Sequence, residues 1–267
     1  YLKERMSSLR YGMDYLDLVD YYIDRNNYEK ALETAEAGIL KGEGRLKELF
    51  EFLFEHFEQA DDAKNLERIV STALSRDKEQ RNMLDRLFEY YKNRGNYEKA
   101  KEALQKSYEH IRHPSYYEEY VRMKNYLEES DWKQFEPRII NDAREKSIND
   151  YLRICLDKNM KKAVLDIILN PPRNQWGFVS NNNFDEFAGR LEKDYPDKII
   201  EYYWKKACVL IKEKNRDAYR ESVRYLAKVK HIYINILENE PVWIKQFSAL
   251  KNEYGNRPAF LDESRDL

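Results

Sequence analysis

Apolar residues recur every three or four positions along nearly the whole chain, on a background of densely charged intervening faces. That is the period of amphipathic helices and not the alternation of half-buried strands. Leu84, Leu87, Phe88 and Tyr91 mark one face of a first helix, and Ala100 and Leu104 face back from a second across the turn NRGNYEKA. In that turn Gly95 is suited to a left-handed helix end and Asn96 to capping the next helix. His113-Pro114 then closes the unit, because proline cannot continue a helix. The same pattern stands upstream: Leu18–Tyr22–Arg25–Asn27–Tyr28–Glu29–Lys30–Ala31–Glu33 returns as Leu87–Tyr91–Arg94–Asn96–Tyr97–Glu98–Lys99–Ala100–Glu102, an offset of 69 residues. This is about twice the 34-residue period of stacked helical hairpins. Such a chain buries its core by stacking hairpins on one another.

Further units follow the same plan. Leu49 to Val70 holds a degenerate hairpin whose first helix is apolar nearly all round (Leu49, Phe50, Phe52, Leu53, Phe54, Phe57), predicting burial on two sides. YLEESDWKQFEPRI repeats the turn with Asp131-Trp132 in place of Asn-Tyr, and CLDKNMKKAVLDII repeats it around Asn159-Met160 and Ala163. About five hairpins are therefore expected over residues 1–170. A Pro- and Asn-rich loop over 171–183 and a helical block over 184–267, continuing or capping the array, come next. Pro196 and Pro241 stand where proline favours a helix start.

The unit from Met83 to His113 resembles the tetratricopeptide repeat. Ala100 matches the small residue that family uses where its two helices cross, and Tyr91 matches its aromatic. Leu84, Leu87, Leu104 and Ser107 fit as well, and Tyr22 and Ala31 hold the equivalent places upstream, with Val19 at the crowded position. Phe88 stands where the family prefers glycine or alanine, which implies a wider splay of that pair. The resemblance implies an all-α, right-handed solenoid. A second resemblance covers the last third: FAGRLEKDYPDKIIEYYWKKA, KNRDAYRESVRYLAKVKHIY and WIKQFSALKNEYGNRPAFLDE are similar to the helical tail of prokaryotic SWIM zinc-finger proteins. That family carries a CxC…CxH zinc motif before the tail, and this chain has two isolated cysteines and no CxC. The resemblance implies that the zinc and its DNA- or protein-binding role lie upstream of Tyr1. A chain opening on Tyr1, inside what reads as helix to Arg10, is expected to be a piece of a longer protein.

Charge narrows the choice of partners. With 47 Lys and Arg against 49 Asp and Glu, the net charge is −2, so the whole chain is not built for non-specific nucleic-acid or anionic-membrane binding. No apolar run has the length of a membrane span. Cys155 and Cys208 sit in apolar helical surroundings, as expected of inert thiols in a cytoplasmic protein. Tyrosine is abundant, with 22 residues, which suits inter-helix grooves where the ring packs and the hydroxyl stays wet.

The candidate chemistry is sparse. There is no phosphate loop, nucleophile elbow or HExxH, and Gly42-Glu43-Gly44 reads as a helix-ending turn, so no enzyme activity and no cofactor are expected. His110 and His113 stand three apart on a helix, a spacing a metal accepts, but a histidine beside Pro114 also meets the negative end of its helix; no metal is expected. Arg216, Arg220, Arg224 and Lys228 align at i+4 spacing after Lys205, Lys206, Lys212 and Lys214, a stripe able to follow phosphates. Glu213, Asp217 and Glu221 each stand three residues ahead of an arginine and favour a self-neutralised, solvated face instead. Glu48, Glu51, Glu55 and Glu58 form an acidic edge, so the array is expected to be polarised and to steer a charged partner or make head-to-tail contacts. Asp85 and Glu89 on the clearest repeat have the wrong sign for gripping a peptide carboxylate and suit a basic or neutral partner. In the 171–183 loop, Trp176 and Phe178 are either partner anchors or a plug over Ile167, Ile168 and Leu169, the plug being favoured. The expected function is a non-catalytic protein-interaction scaffold binding a protein or peptide; the alternative is an accessory nucleic-acid-binding module using the basic stripe.

Overall fold

The computed structural model describes residues 9–76, 81–110, 115–171 and 184–267, and among these the chain is all-α. The helices are α1 Gly12–Ile23, α2 Tyr28–Lys41, α3 Lys47–Gln59, α4 Ala63–Arg76, α5 Arg81–Asn93, α6 Tyr97–Glu109, α7 Tyr116–Tyr126 and α8 Glu129–Lys146. They continue with α9 Ile148–Asp157, α10 Lys161–Leu169, α11 Asp185–Leu191, α12 Pro196–Lys212, α13 Arg216–His231, α14 Glu240–Glu253 and α15 Pro258–Glu263; a π-helical turn, Ile232–Ile236, extends α13. The one β feature among the described residues is an isolated bridge between Tyr11 and Glu43, which ties the start of α1 to the Gly42–Gly44 turn.

Five inter-helix turns share one device. Asn26, Asp61, Gly95, Asn159 and Lys214 all take a left-handed conformation, with φ of 54°, 53°, 68°, 56° and 59°. Four of these turns close with a six-residue backbone bond that satisfies a carbonyl at the end of the first helix: Asn27 to Tyr22 (2.9 Å), Asp62 to Phe57 (2.9 Å), Asn96 to Tyr91 (3.0 Å) and Met160 to Cys155 (2.7 Å). Where the next residue is Asn or Asp, its side chain accepts from the backbone N–H three residues on, as Asn27 does from Lys30 (3.2 Å) and Asn96 from Lys99 (3.3 Å). Asn26, Asp61 and Gly95 are 35 and 34 residues apart, so the 69-residue offset is two hairpins in succession.

Two turns differ from the sequence expectation. Asn159 is the left-handed residue and Met160 the cap, so Val164, fully buried, takes the place held by Ala31 and Ala100, while Ala163 is only partly covered. The repeat there is displaced by one residue because Asn159 aligns with Asn26, not with Asn27. The turn expected at Asp131-Trp132 falls earlier: α8 starts at Glu129 and Leu127 is extended. Tyr97 explains the change. Its hydroxyl accepts from the Glu128 N–H (2.8 Å) and donates to Asp131 (2.7 Å), so a neighbouring hairpin satisfies the helix start.

The chain divides into two compact units, residues 1–137 and 138–267. The boundary lies within α8 at Pro137, which has no N–H to continue the helical ladder. In the first unit, Tyr22, Ala31, Tyr91, Ala100 and Leu104 are all buried. Gly38 on α2 is packed so closely that a Cβ there would stand 2.7 Å from Leu49 and 2.8 Å from Tyr15. Phe88 turns its ring onto Tyr126 of the following hairpin, edge to face at 4.7 Å, and so fills the space between hairpins. Polar ties also join successive hairpins: Arg68 to Glu36 (2.9 Å), Tyr90 to Asp61 (2.8 Å), Tyr91 to Glu67 (2.6 Å) and Arg122 to Asp85 (2.9 Å). In the second unit α9 pairs with α10, α10 meets α11, and α12 and α13 form the main hairpin, against which α15 packs. The pair α9–α10, expected with the N-terminal repeats, thus lies in the C-terminal unit.

Candidate functional site

The second unit contains a half-open cavity of about 690 Å³ between the end of α10 and the outer faces of α12 and α13. That size lies within the range of ligand and side-chain pockets. Its placement follows from the helix starts. Pro196, preset for a helical φ, opens α12, and Tyr202, Lys205, Lys206 and Val209 then fall on one side of it at i, i+3, i+4 and i+7. Ile168 and Leu169 supply apolar wall from α10, Tyr225 comes from α13, and Lys198, Glu201 and Glu221 form a charged rim.

Asp185, in the first turn of α11, anchors the cavity's polar side. Its Oδ1 accepts from the Tyr202 hydroxyl (2.9 Å) and Lys206 Nζ (2.7 Å), and its Oδ2 from the Tyr225 hydroxyl (2.6 Å). Burial alone would raise its pKa, but the bonds from Lys206, Tyr225 and Tyr202 outweigh this and hold the carboxyl below its ordinary value. The same burial, with the Asp185 charge, pushes both phenols up. Tyr203 behaves alike, raised by burial and by Glu192, to which it donates at 3.1 Å. Lys206 Nζ also lies 4.9 Å and 5.1 Å from the centroids of the Tyr202 and Tyr225 rings, and Lys228 lies 4.8 Å from that of Tyr203. The balance of burial and these bonds thus holds the Asp185 carboxyl down and the Tyr202 and Tyr225 phenols up.

The basic stripe is largely engaged within the fold. Arg216 binds Asp262 and Glu263, both at 2.6 Å, and Arg220 reaches Asp217 at 3.2 Å and Glu263 at 3.5 Å. Arg224 pairs with Glu221 at 2.8 Å, and Lys228 is drawn to tyrosine rings. Asp262 and Glu263, partners from α15, are too distant in sequence for helix spacing to reveal. The acidic edge is met by cations as well: Glu48 by Arg45, Glu51 by Lys47 (3.6 Å), and Glu55 and Glu58 by Arg86 (3.9 and 3.2 Å).

Asp85 and Glu89 part company. Asp85 accepts from Ser107 (2.6 Å) and Arg122 (2.9 Å) in a network joining three helices, whereas Glu89 stays near the surface beside Lys92 (3.0 Å). Trp176, Phe178 and His113 lie outside the described residues. His110 ends α6 with Nδ1 2.9 Å from the Lys106 carbonyl, and no group of three metal-ligating side chains forms among the described residues. Burial raises both thiols, Cys155 and Cys208. Among the described residues no helix is long and apolar enough to cross a membrane.

A smaller groove of about 400 Å³ in the first unit is lined by Val70, Leu74, Leu84 and Leu87, with Lys99 bound to Glu67 (3.0 Å) and Lys106 to Glu102 (2.7 Å) across its mouth. Both of its lysines are thus paired with carboxylates. Hardest to find by sequence is Asp185, which holds three of the lining residues but resembles any acid placed in a first helical turn to meet the helix dipole. The local signal that could have pointed to it is the i, i+4 spacing of Tyr202 and Lys206. No protein-family model matches the chain, and no curated protein matches it.

Proposed function

We propose that the chain is a non-catalytic protein-interaction scaffold, built as a right-handed, tetratricopeptide-like solenoid with a variant C-terminal helical cap. The observation that carries this reading is the recurring left-handed turn with its closing backbone bond, spaced 35 and 34 residues apart in the first unit. A chain that spends its sequence on stacking units of one kind presents extended surface with a partly formed groove at each junction, the property repeat scaffolds use for binding. The two cavities fit this role, each lying between helices of one unit and each combining apolar walls with lysines. The SWIM-type tail would extend the same reading, with the scaffold serving a zinc-bearing segment. The nucleic-acid alternative is less favoured, since three of its four stripe residues already face carboxylates.

Selection of a random displayed peptide library against the immobilised chain tests the scaffold. Enrichment of a shared motif that binds in solution is expected. Failure to enrich any motif, with the chain folded by circular dichroism, would overturn the reading. Titration with labelled duplex DNA and single-stranded RNA at low salt provides the contrast, because phosphate contacts weaken steeply as salt rises.

A further inference from the structure

The cavity between α10, α12 and α13 has a chemical bias that narrows its occupant. The acid behind its wall, Asp185, already receives three donors from lining residues, so it turns little bare negative charge toward the opening. On the rim, Lys198 is paired with Glu201 at 3.2 Å and Glu221 with Arg224 at 2.8 Å. Lys205 is different. It is exposed, and no carboxylate pairs with it among the described residues. One turn further along α12, Val209 is 56% exposed, an apolar side chain left in water at the edge of an apolar cavity. Residues four apart on a helix are neighbours on its surface, so a free cation and an uncovered apolar group stand side by side.

We infer that this cavity docks an acidic peptide segment in which a carboxylate stands one helical turn from a large apolar side chain. The apolar group would enter between Leu169 and Val209, and the carboxylate would meet Lys205. The reading rests on the scaffold proposal and adds the partner's chemistry. Burying Val209 and part of the cavity wall supplies the affinity, and the ion pair sets sign and register, which is the usual division of labour at an interface. The self-neutralised groove of the first unit offers no such free cation.

The test is a fluorescence-anisotropy titration of the full chain, at low salt, with a labelled helix-forming peptide carrying Leu and Glu at i, i+4 spacing. Matched peptides replace Glu by Lys or Leu by Ser. The parent peptide is expected to bind, and each replacement to weaken it at least about tenfold, corresponding to roughly 1.4 kcal/mol. Lys205→Glu and Val209→Ser should each weaken the parent peptide by about the same factor, while Lys133→Glu on α8 leaves it unchanged. Both substituted side chains are exposed, so unchanged circular dichroism and melting temperature are expected. Equal binding of the Lys-bearing peptide, or affinity indifferent to both cavity variants, would overturn the inference. Decanoate displacing the peptide at equal concentration would overturn it in favour of a free amphiphile. The two readings fail separately: a library that enriches an acid-free motif insensitive to Lys205→Glu retains the scaffold and removes this site, whereas no enrichment at all removes the scaffold.

Discussion

Gly95 and Asn26 occupy the same point of two helical hairpins, 69 residues apart, and both are left-handed, with φ of 68° and 54°. One hairpin meets this backbone demand with glycine and the other with asparagine, the two residue types that tolerate it best. Nothing lies within 4 Å of a Cβ built on Gly95, so substitution there meets no steric obstacle and isolates the cost of the conformation. Gly95→Ala is expected to lower stability by about 1 kcal/mol, and Gly95→Asn by less, because asparagine adopts this region more readily. Urea denaturation of the three proteins checks the order. An alanine variant as stable as the parent would show that the turn does not depend on its left-handed residue.

Ala100 is fully buried on α6, where α6 packs on α5, with Leu104 one turn on and also fully buried. Adding three carbons at such a crossing forces helices or rotamers to move. Ala100→Leu should destabilise by roughly 1–3 kcal/mol through overpacking. The melting temperature should fall, and an unchanged value would mean that the crossing has slack.

Glu119 is 8% exposed; its Oε1 accepts from Arg81, and its Oε2 has no hydrogen-bond partner among the described residues, Arg122 standing 3.8 Å away. Truncating Arg81 would strand a buried carboxylate. Arg81→Met is therefore expected to cost about 3 kcal/mol, while Arg81→Met combined with Glu119→Leu recovers much of the loss. A double-mutant cycle measures this, and additive single costs would show that the pair is not coupled.

The helical period and the recurring turn make the all-α fold legible in the sequence, because both are local. Gly95 and Asn96 can be read from four neighbouring residues, and the backbone does what those residues favour. The turn between α7 and α8 cannot be read in this way. Its position depends on Tyr97 of the preceding hairpin, whose hydroxyl meets both Glu128 and Asp131. The shift at Val164 shows the same limit in milder form, since Asn159-Met160 imitates Asn27-Tyr28 in sequence while Asn159 takes the role of Asn26. The basic stripe is legible as charge, but its partners Asp262 and Glu263 come from a helix 46 and 47 residues on from Arg216. The candidate cavity is the least legible part, because Lys206 and Tyr225 in its wall and Asp185 behind it come from three helices and have no shared motif.

Asp185 also predicts how the second unit responds to acid. Its donors Lys206, Tyr225 and Tyr202 hold its pKa below that of an unfolded aspartate, which is about 3.9. A carboxylate lowered on folding stabilises the protein above its unfolded pKa, and that contribution is lost as pH falls through the folded value. The contribution is therefore complete at neutral pH, begins to fall as pH drops toward about 4, and is gone only below the folded value. Asp185→Asn keeps an acceptor for part of the network but removes the charge, leaving Lys206 without its carboxylate. The variant should lose about 1–3 kcal/mol at pH 7, typical of a hydrogen bond to a charged group. Its stability should also fall less steeply than the parent's between about pH 5 and pH 3, so the two curves converge in acid. Urea denaturation across that range measures the difference, and a constant gap from pH 7 to pH 3 would show that the Asp185 charge is not what the three donors stabilise.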